Sequence, residues 1–141
     1  MEINNSTEKK FQLVVFTVAD IEYAVDILNV WEITRVIEIN STNKGEFINL
    51  RGSIVPIINL RKKFGLEVRN NNINSRIIII DISGAIQGLI VDSVNEVFRI
   101  PYSAVHPFDP TSTIWGKKYI QGVARIDKRN ILIINQEKLL Q

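Results

Sequence analysis

The sequence predicts an all-β protein: two five-stranded β-barrels packed together, with short helices between strands and at the C-terminus. Three observations carry this. Short apolar, β-branched runs recur along the chain and are cut by turn-forming pairs such as Ala19-Asp20, Arg51-Gly52 and Ser83-Gly84. The chain also repeats itself. Val25-Asp26 returns as Val91-Asp92, the trio Val30, Glu32, Ile33 returns as Val94, Glu96, Val97, and Ile57-Ile58-Asn59 returns as Ile133-Ile134-Asn135. Each copy has room for about five strands in about 65 residues, the size of a small closed barrel without sheet edges; barrels so small are marginal alone and should share a core.

The elements follow in order. Residues 1–10 are polar and aperiodic and read as disordered. Residues 11–18 are a strand, 19–20 its turn, and 22–25 the return. Ile27, Val30 and Trp31 fall at helical spacing, predicting a helix of about two turns over 27–33. Residues 34–39 are a strand and 40–45 a polar loop. Residues 47–50 and 53–59 form a hairpin around Arg51-Gly52, where glycine permits the positive φ of a tight reversal. Pro56 cannot donate to a ladder, which places it at an edge or a bulge. Residues 60–64 make one helical turn, with Leu60 and Phe64 on one face and Arg61, Lys62 and Lys63 solvated, and Gly65 stops it. The asparagine-rich stretch 67–75 reads as a linker between subdomains 11–66 and 76–140. Beyond it come a buried strand (76–82), its turn and return (86–91), at most a helical turn at 92–95, and a strand over 96–100. Residues 102–116, with Pro107 and Pro110, form an irregular loop; a hairpin (118–126, 131–134) and a terminal helical turn (136–140) close the chain.

Composition narrows the function. The apolar share of 45% supports a real core, while 17 basic against 15 acidic residues give a net charge of +2, too weak a field to argue for nucleic acid. The runner-up reading, a tandem of small nucleic-acid-binding barrels, rests on Lys117, Lys118, Lys128 and Arg129 alone. With no cysteine there is neither a disulfide frame nor a thiol nucleophile. The polar N-terminus lacks a signal-like apolar region, and the longest apolar runs, such as 77–80, are four residues, so a soluble cytoplasmic protein without membrane insertion is expected. His106 is the only histidine, so no metal or cofactor is expected. Asp26 and Asp92, each at the foot of a short turn, read as helix caps rather than as a catalytic pair. Without a phosphate loop or a nucleophile elbow, no catalytic residues and no enzyme are expected. Trp31 and Trp115 read as packing residues. Arg51 stands apart, because a rigid hairpin tip is a place to present a contact.

The motif that opens at Phe16 and ends at Ile33, FTVADIEYAVDILNVWEI, resembles the CheW family of chemotaxis coupling proteins. So do the block NLRGSIVPIINLRKKFG over 49–65, the block GLIVDSVNEV over 88–97, and the tail ILIINQEKLL over 131–140. The resemblance covers nearly the whole chain. It implies two SH3-like barrels and a non-enzymatic adaptor that joins the cytoplasmic tips of chemoreceptors to the regulatory domain of the histidine kinase CheA, with other copies of CheW as possible array partners. It also implies a receptor-binding groove between the barrels, lined by Val30 and Val94 with Glu32, Gly52 and Val97 beside them and Arg51 at the mouth. Receptor tips in this family are helical hairpins rich in carboxylates and carbonyls, which suit a guanidinium clamp. The kinase contact is expected near Ile27. An array contact is expected at Phe108, taken as an exposed aromatic on a proline-stiffened loop. One departure is visible: the family's proline-bearing segment before the NLRG hairpin is shortened here to residues 40–47 and lacks the proline.

Overall fold

The computed structural model describes residues 9–140. The expected disorder of 1–10 thus falls mostly outside the described residues, and Lys10 already opens a strand. The order is β1 (Lys10–Val18), β2 (Ile21–Asp26), β3 (Val30–Arg35), β4 (Ile39–Thr42), β5 (Gly45–Leu50), β6 (Ser53–Asn59) and α1 (Leu60–Lys63). It continues with β7 (Arg76–Ile82), β8 (Ala85–Val91), β9 (Ser93–Pro101), β10 (Val105–His106), β11 (Ile120–Ile126), β12 (Arg129–Ile134) and α2 (Gln136–Leu139). Single 3₁₀ turns sit at Ile27–Asn29, Tyr102–Ala104 and Lys117–Tyr119.

The strands form two six-stranded sheets, ordered β10-β11-β12-β2-β1-β9 and β3-β7-β8-β6-β5-β4. The two end strands of each sheet are neighbours in the chain. β3 runs into β4, and β9 runs into β10 through the turn at Tyr102–Ala104. Each sheet is thereby closed by one long, bent strand, and six ladder segments amount to a five-stranded barrel.

The strands do not sort into the sequential halves 11–66 and 76–140. Hairpin β1–β2 belongs to the sheet of β9 to β12, and hairpin β7–β8 belongs to the sheet of β3 to β6. The repeat explains why. Antiparallel β1·β9 corresponds to β7·β3, and parallel β2·β12, with Ala24 opposite Ile133, corresponds to parallel β8·β6, with Leu89 opposite Ile58. The two copies have exchanged their first hairpins, so each barrel needs both halves of the chain.

Packing follows the alternation of strand side chains. From β1, Leu13 and Val15 fill one barrel, while Val14, Phe16 and Val18 face a cluster shared by both sheets. From β7, Ile77 and Ile79 fill the other barrel, and Ile78 and Ile80 join the shared cluster. Strands buried on both faces read as unbroken apolar runs, which accounts for the isoleucine run at 77–80. Gly88 completes this packing. A Cβ there would lie 2.7 Å from the Ile57 side chain and 2.9 Å from that of Ile77. Gly88→Ala is expected to cost about 1–3 kcal/mol through overpacking, read as a lower midpoint in urea denaturation with unchanged slope.

Several expected elements differ. The helix over 27–33 is one 3₁₀ turn followed by β3. From Val30 onward the half-buried residues alternate with exposed ones, and the ladder to β7 overrides the helical spacing. The polar loop at 40–45 is instead the tight β4–β5 hairpin turning at Asn43 and Lys44, and this is the form taken by the shortened segment. Of the turn expected at 92–95, residues 93–95 already belong to β9. Pro56 lies just before the three-residue ladder of β6 with β8, where β6 has one neighbour only.

Candidate functional site

The hairpin β5–β6 pairs Leu50 with Ser53, leaving Arg51 and Gly52 as its two-residue tip. Both have positive φ, 48° and 88°, the pattern of a tight turn that follows the twist of the flanking strands. The Asn49 side-chain carbonyl accepts the Gly52 N–H at 2.9 Å and fixes the turn from inside.

The Arg51 guanidinium points at β3. Its Nη1 donates to Glu32 Oε2 at 3.2 Å and its Nη2 donates to Glu32 Oε1, a two-pronged ion pair. That hydrogen bond holds the Glu32 carboxyl below its ordinary pKa and raises that of Arg51. The Arg51 side chain is still 70% exposed. Glu32 reaches it because β3 bulges: Val30 opposes Ile80 and Glu32 opposes Ile79, so Trp31 is the extra residue. The bulge leaves Trp31 65% exposed next to Glu32, and Ile54, on the strand leaving the tip, is also exposed. An oriented guanidinium with bare apolar side chains beside each partner suits a contact that is part charge clamp, part hydrophobic anchor.

The second copy has a related arrangement. A bulge at Asn95 puts Val94 opposite Phe16 and Glu96 opposite Val15. Arg129, near the β11–β12 tip, donates to Glu96 at 2.5 Å and to Glu22, and its guanidinium lies 4.8 Å from the Phe98 ring centre. Its side chain is only 36% exposed. Arg129 is thus committed to internal partners, and Arg51 is the member of the pair that stays available. The same commitment takes Arg129 out of the basic set behind the nucleic-acid reading.

The structure joins Arg51, Gly52 and Glu32 directly. Val30 and Val94 are half-buried and pack on the shared inter-barrel cluster, while Val97 is exposed on β9. Ile27 is half-buried against the same cluster, and its neighbour Leu28 is 86% exposed. Phe108 requires a correction. It is not an exposed loop aromatic but packs on the inter-barrel core; the exposed aromatics of that region are Tyr102 and Trp115.

Two further expectations fail at one place. Arg61 is not solvated but 8% exposed, and Asp92 is not a helix cap. Arg61 Nε donates to Asp92 Oδ1 at 2.9 Å and Nη2 donates to Oδ2 at 2.6 Å, while the other Asp92 contact is the Ala19 N–H at 2.8 Å. Burial pushes the Asp92 carboxyl up, and the guanidinium and the amide together outweigh it, holding the group below its ordinary pKa. Asp26 does cap its turn, accepting the Leu28 N–H at 2.9 Å. The repeated asparagines Asn59 and Asn135 cap α1 and α2 in the same way.

Comparison with known proteins agrees with this architecture. Residues 12–141 match the family described as a CheW-like domain. The chain is 31% identical over 134 residues to a chemotaxis protein CheW of Klebsiella aerogenes, covering 92% of this chain and 81% of that one. It is 32% identical over 140 residues to a chemotaxis protein CheW of Helicobacter pylori, covering 95% and 84%. The crystal structure of the scaffolding protein TtCheW from Thermoanaerobacter tengcongensis superposes with a TM-score of 0.81 at 37% identity, covering 89% of each chain. With two interlocked barrels, an NLRG hairpin tip and a family match across nearly its whole length, the chain belongs to the CheW family.

Proposed function

We propose that this protein is a non-enzymatic adaptor that couples the cytoplasmic tips of chemoreceptors to the histidine kinase CheA, with the Arg51–Glu32 tip as the receptor contact. The carrying observation is the exposed, two-pronged Arg51–Glu32 pair, with the exposed Trp31 next to Glu32 in β3 and the exposed Ile54 just beyond the tip in β6. A helical receptor tip would lay apolar side chains against Trp31, Ile54 and Val97 and offer a carboxylate or carbonyl to the guanidinium. Glu32 keeps the fork oriented before binding, which lowers the entropy lost on contact. Gly52 keeps the tip narrow, and Val30 and Val94 support the floor from the inter-barrel core. Pull-down of the chain on an immobilised receptor tip and, separately, on the CheA regulatory domain tests this reading; failure to bind either removes it.

The kinase contact is assigned to the turn at Ile27–Asn29. Its exposed member Leu28 is the anchor, and Ile27 holds the turn on the core. Leu28→Glu is expected to leave the melting curve unchanged and to weaken CheA binding by about tenfold, measured by calorimetric titration; unchanged affinity would move the kinase surface elsewhere.

A further inference from the structure

A second concave surface lies apart from the Arg51 tip, between α1 and residues 113–119. It is an open cavity of about 370 Å³ whose wall is aromatic and whose rim carries lysines. We propose that this pocket docks an acidic peptide segment carrying one aromatic or long aliphatic anchor, on a partner other than the receptor tip.

The pocket is pre-formed. Phe64 and Tyr119, both nearly buried, stack at its base with ring centres 6.0 Å apart, and Tyr23 supports Phe64 from behind at 5.1 Å. The Tyr23 hydroxyl donates to the Trp115 carbonyl at 2.7 Å and anchors that backbone. Gly116 follows at φ 74°, so close to Phe64 that a Cβ would sit 2.8 Å from the ring. These contacts fix the backbone at Trp115 and Gly116, from which the half-exposed Trp115 lines the opening, so little backbone ordering remains to be lost on binding.

Lys63, Lys117 and Lys118 line the pocket, and among the described residues no carboxylate does. Lys118 Nζ lies 5.3 Å from the centre of the Tyr119 ring, near the base of the pocket. Among the described residues Lys117 and Lys118 form no ion pair, whereas Arg51, Arg61 and Arg129 are each matched to carboxylates. Bare indole and unmatched ammonium groups together complement a ligand that is apolar at one point and anionic around it. A nucleic-acid strand is a poorer fit, because it asks for a track of successive stacking platforms, and here one indole fronts a short pocket closed by Phe64 and Tyr119.

The test uses the full chain and a fluorescein-labelled, end-capped peptide of glutamate and aspartate flanking one phenylalanine, followed by anisotropy. Saturable binding is expected. It should weaken at least about tenfold in the Lys117→Glu/Lys118→Glu double variant, whose exposed side chains leave the fold intact, and likewise in Trp115→Ala and when alanine replaces the peptide's phenylalanine. Thermal melts of each variant identify any loss that reflects unfolding, and the lysine pair alone then decides. The proposal is overturned by absence of saturable binding in the millimolar range, by unchanged affinity in the lysine variant, or by a short single-stranded oligonucleotide competing as well as the unlabelled peptide.

Discussion

Arg61→Ala is expected to lower the stability of the fold by about 3 kcal/mol, a fall of about 10 °C in Tm. The cost arises because the substitution removes a nearly buried guanidinium and leaves Asp92 with the Ala19 amide and only the through-space charge of Arg69. Arg61 also fixes the start of the asparagine-rich segment, donating to the Glu67 carbonyl at 3.4 Å. It therefore ties together α1, the end of β8, the β1–β2 turn and the crossing between the two copies. Arg61→Lys should recover only part of the loss, since an ammonium lacks the planar fork that gives each carboxylate oxygen its own N–H donor on a separate nitrogen. The pair also sets a pH dependence. The folded pKa of Asp92 is depressed, so its contribution is complete above the ordinary carboxylate value near pH 4 and is lost as pH falls through the lower folded value. Glu22 and Glu32 are depressed in the same direction by Arg129 and Arg51, so Asp92→Asn should flatten, but not remove, the acid limb of the stability profile. An acid limb as steep in Asp92→Asn as in the wild type would show that the pair contributes nothing.

Arg51→Glu is expected to reduce receptor-tip binding by about tenfold to a hundredfold or more, while leaving CheA binding and the melting temperature nearly unchanged. A charge-assisted contact at a groove edge is worth roughly 1.5–3 kcal/mol, and the reversed side chain would also set a second carboxylate beside Glu32. The fold has little at stake, because solvent screens an ion pair this exposed. Arg51→Gly separates the two roles. It suits the left-handed backbone at φ 48° and should hold or raise stability, yet it deletes the guanidinium and should lose receptor binding in the same range. Arg51→Lys should bind weakly for want of the planar fork.

The hairpins were readable because each announces itself locally. Ala19-Asp20, Arg51-Gly52 and Ser83-Gly84 all adopt left-handed turn conformations, which Gly52, Gly84 and, less strongly, Asp20 favour and which announce the reversal at each second position. The duplication was readable too, and the bulges at Trp31 and Asn95 fall at its matched positions. The exchange of first hairpins between copies was not readable, because the ladders β1·β9 and β3·β7 join distant segments and leave no trace in periodicity. Arg61 shows the limit for side chains. Its place in an Arg-Lys-Lys run reads as solvated, and only the arrival of Asp92 from the other copy buries it. Phe108 errs the opposite way: flanking prolines suggest an exposed loop, yet the ring turns onto the shared core. Arg51 and Glu32 were each legible as candidates, but their contact depends on the Trp31 bulge.

In the proposed function Arg51 is read by the receptor tip and does not merely brace the hairpin against β3. A charge swap tests it most directly: titrate the receptor tip into the double variant Arg51→Glu/Glu32→Arg, with the CheA regulatory domain titrated in parallel. The swap restores an ion pair across the same gap with its polarity reversed. Wild-type stability, wild-type CheA affinity and receptor affinity as low as in Arg51→Glu alone are expected. Recovery of receptor binding in the swap would contradict this reading, because the tip would then need only the brace and not the guanidinium that it presents.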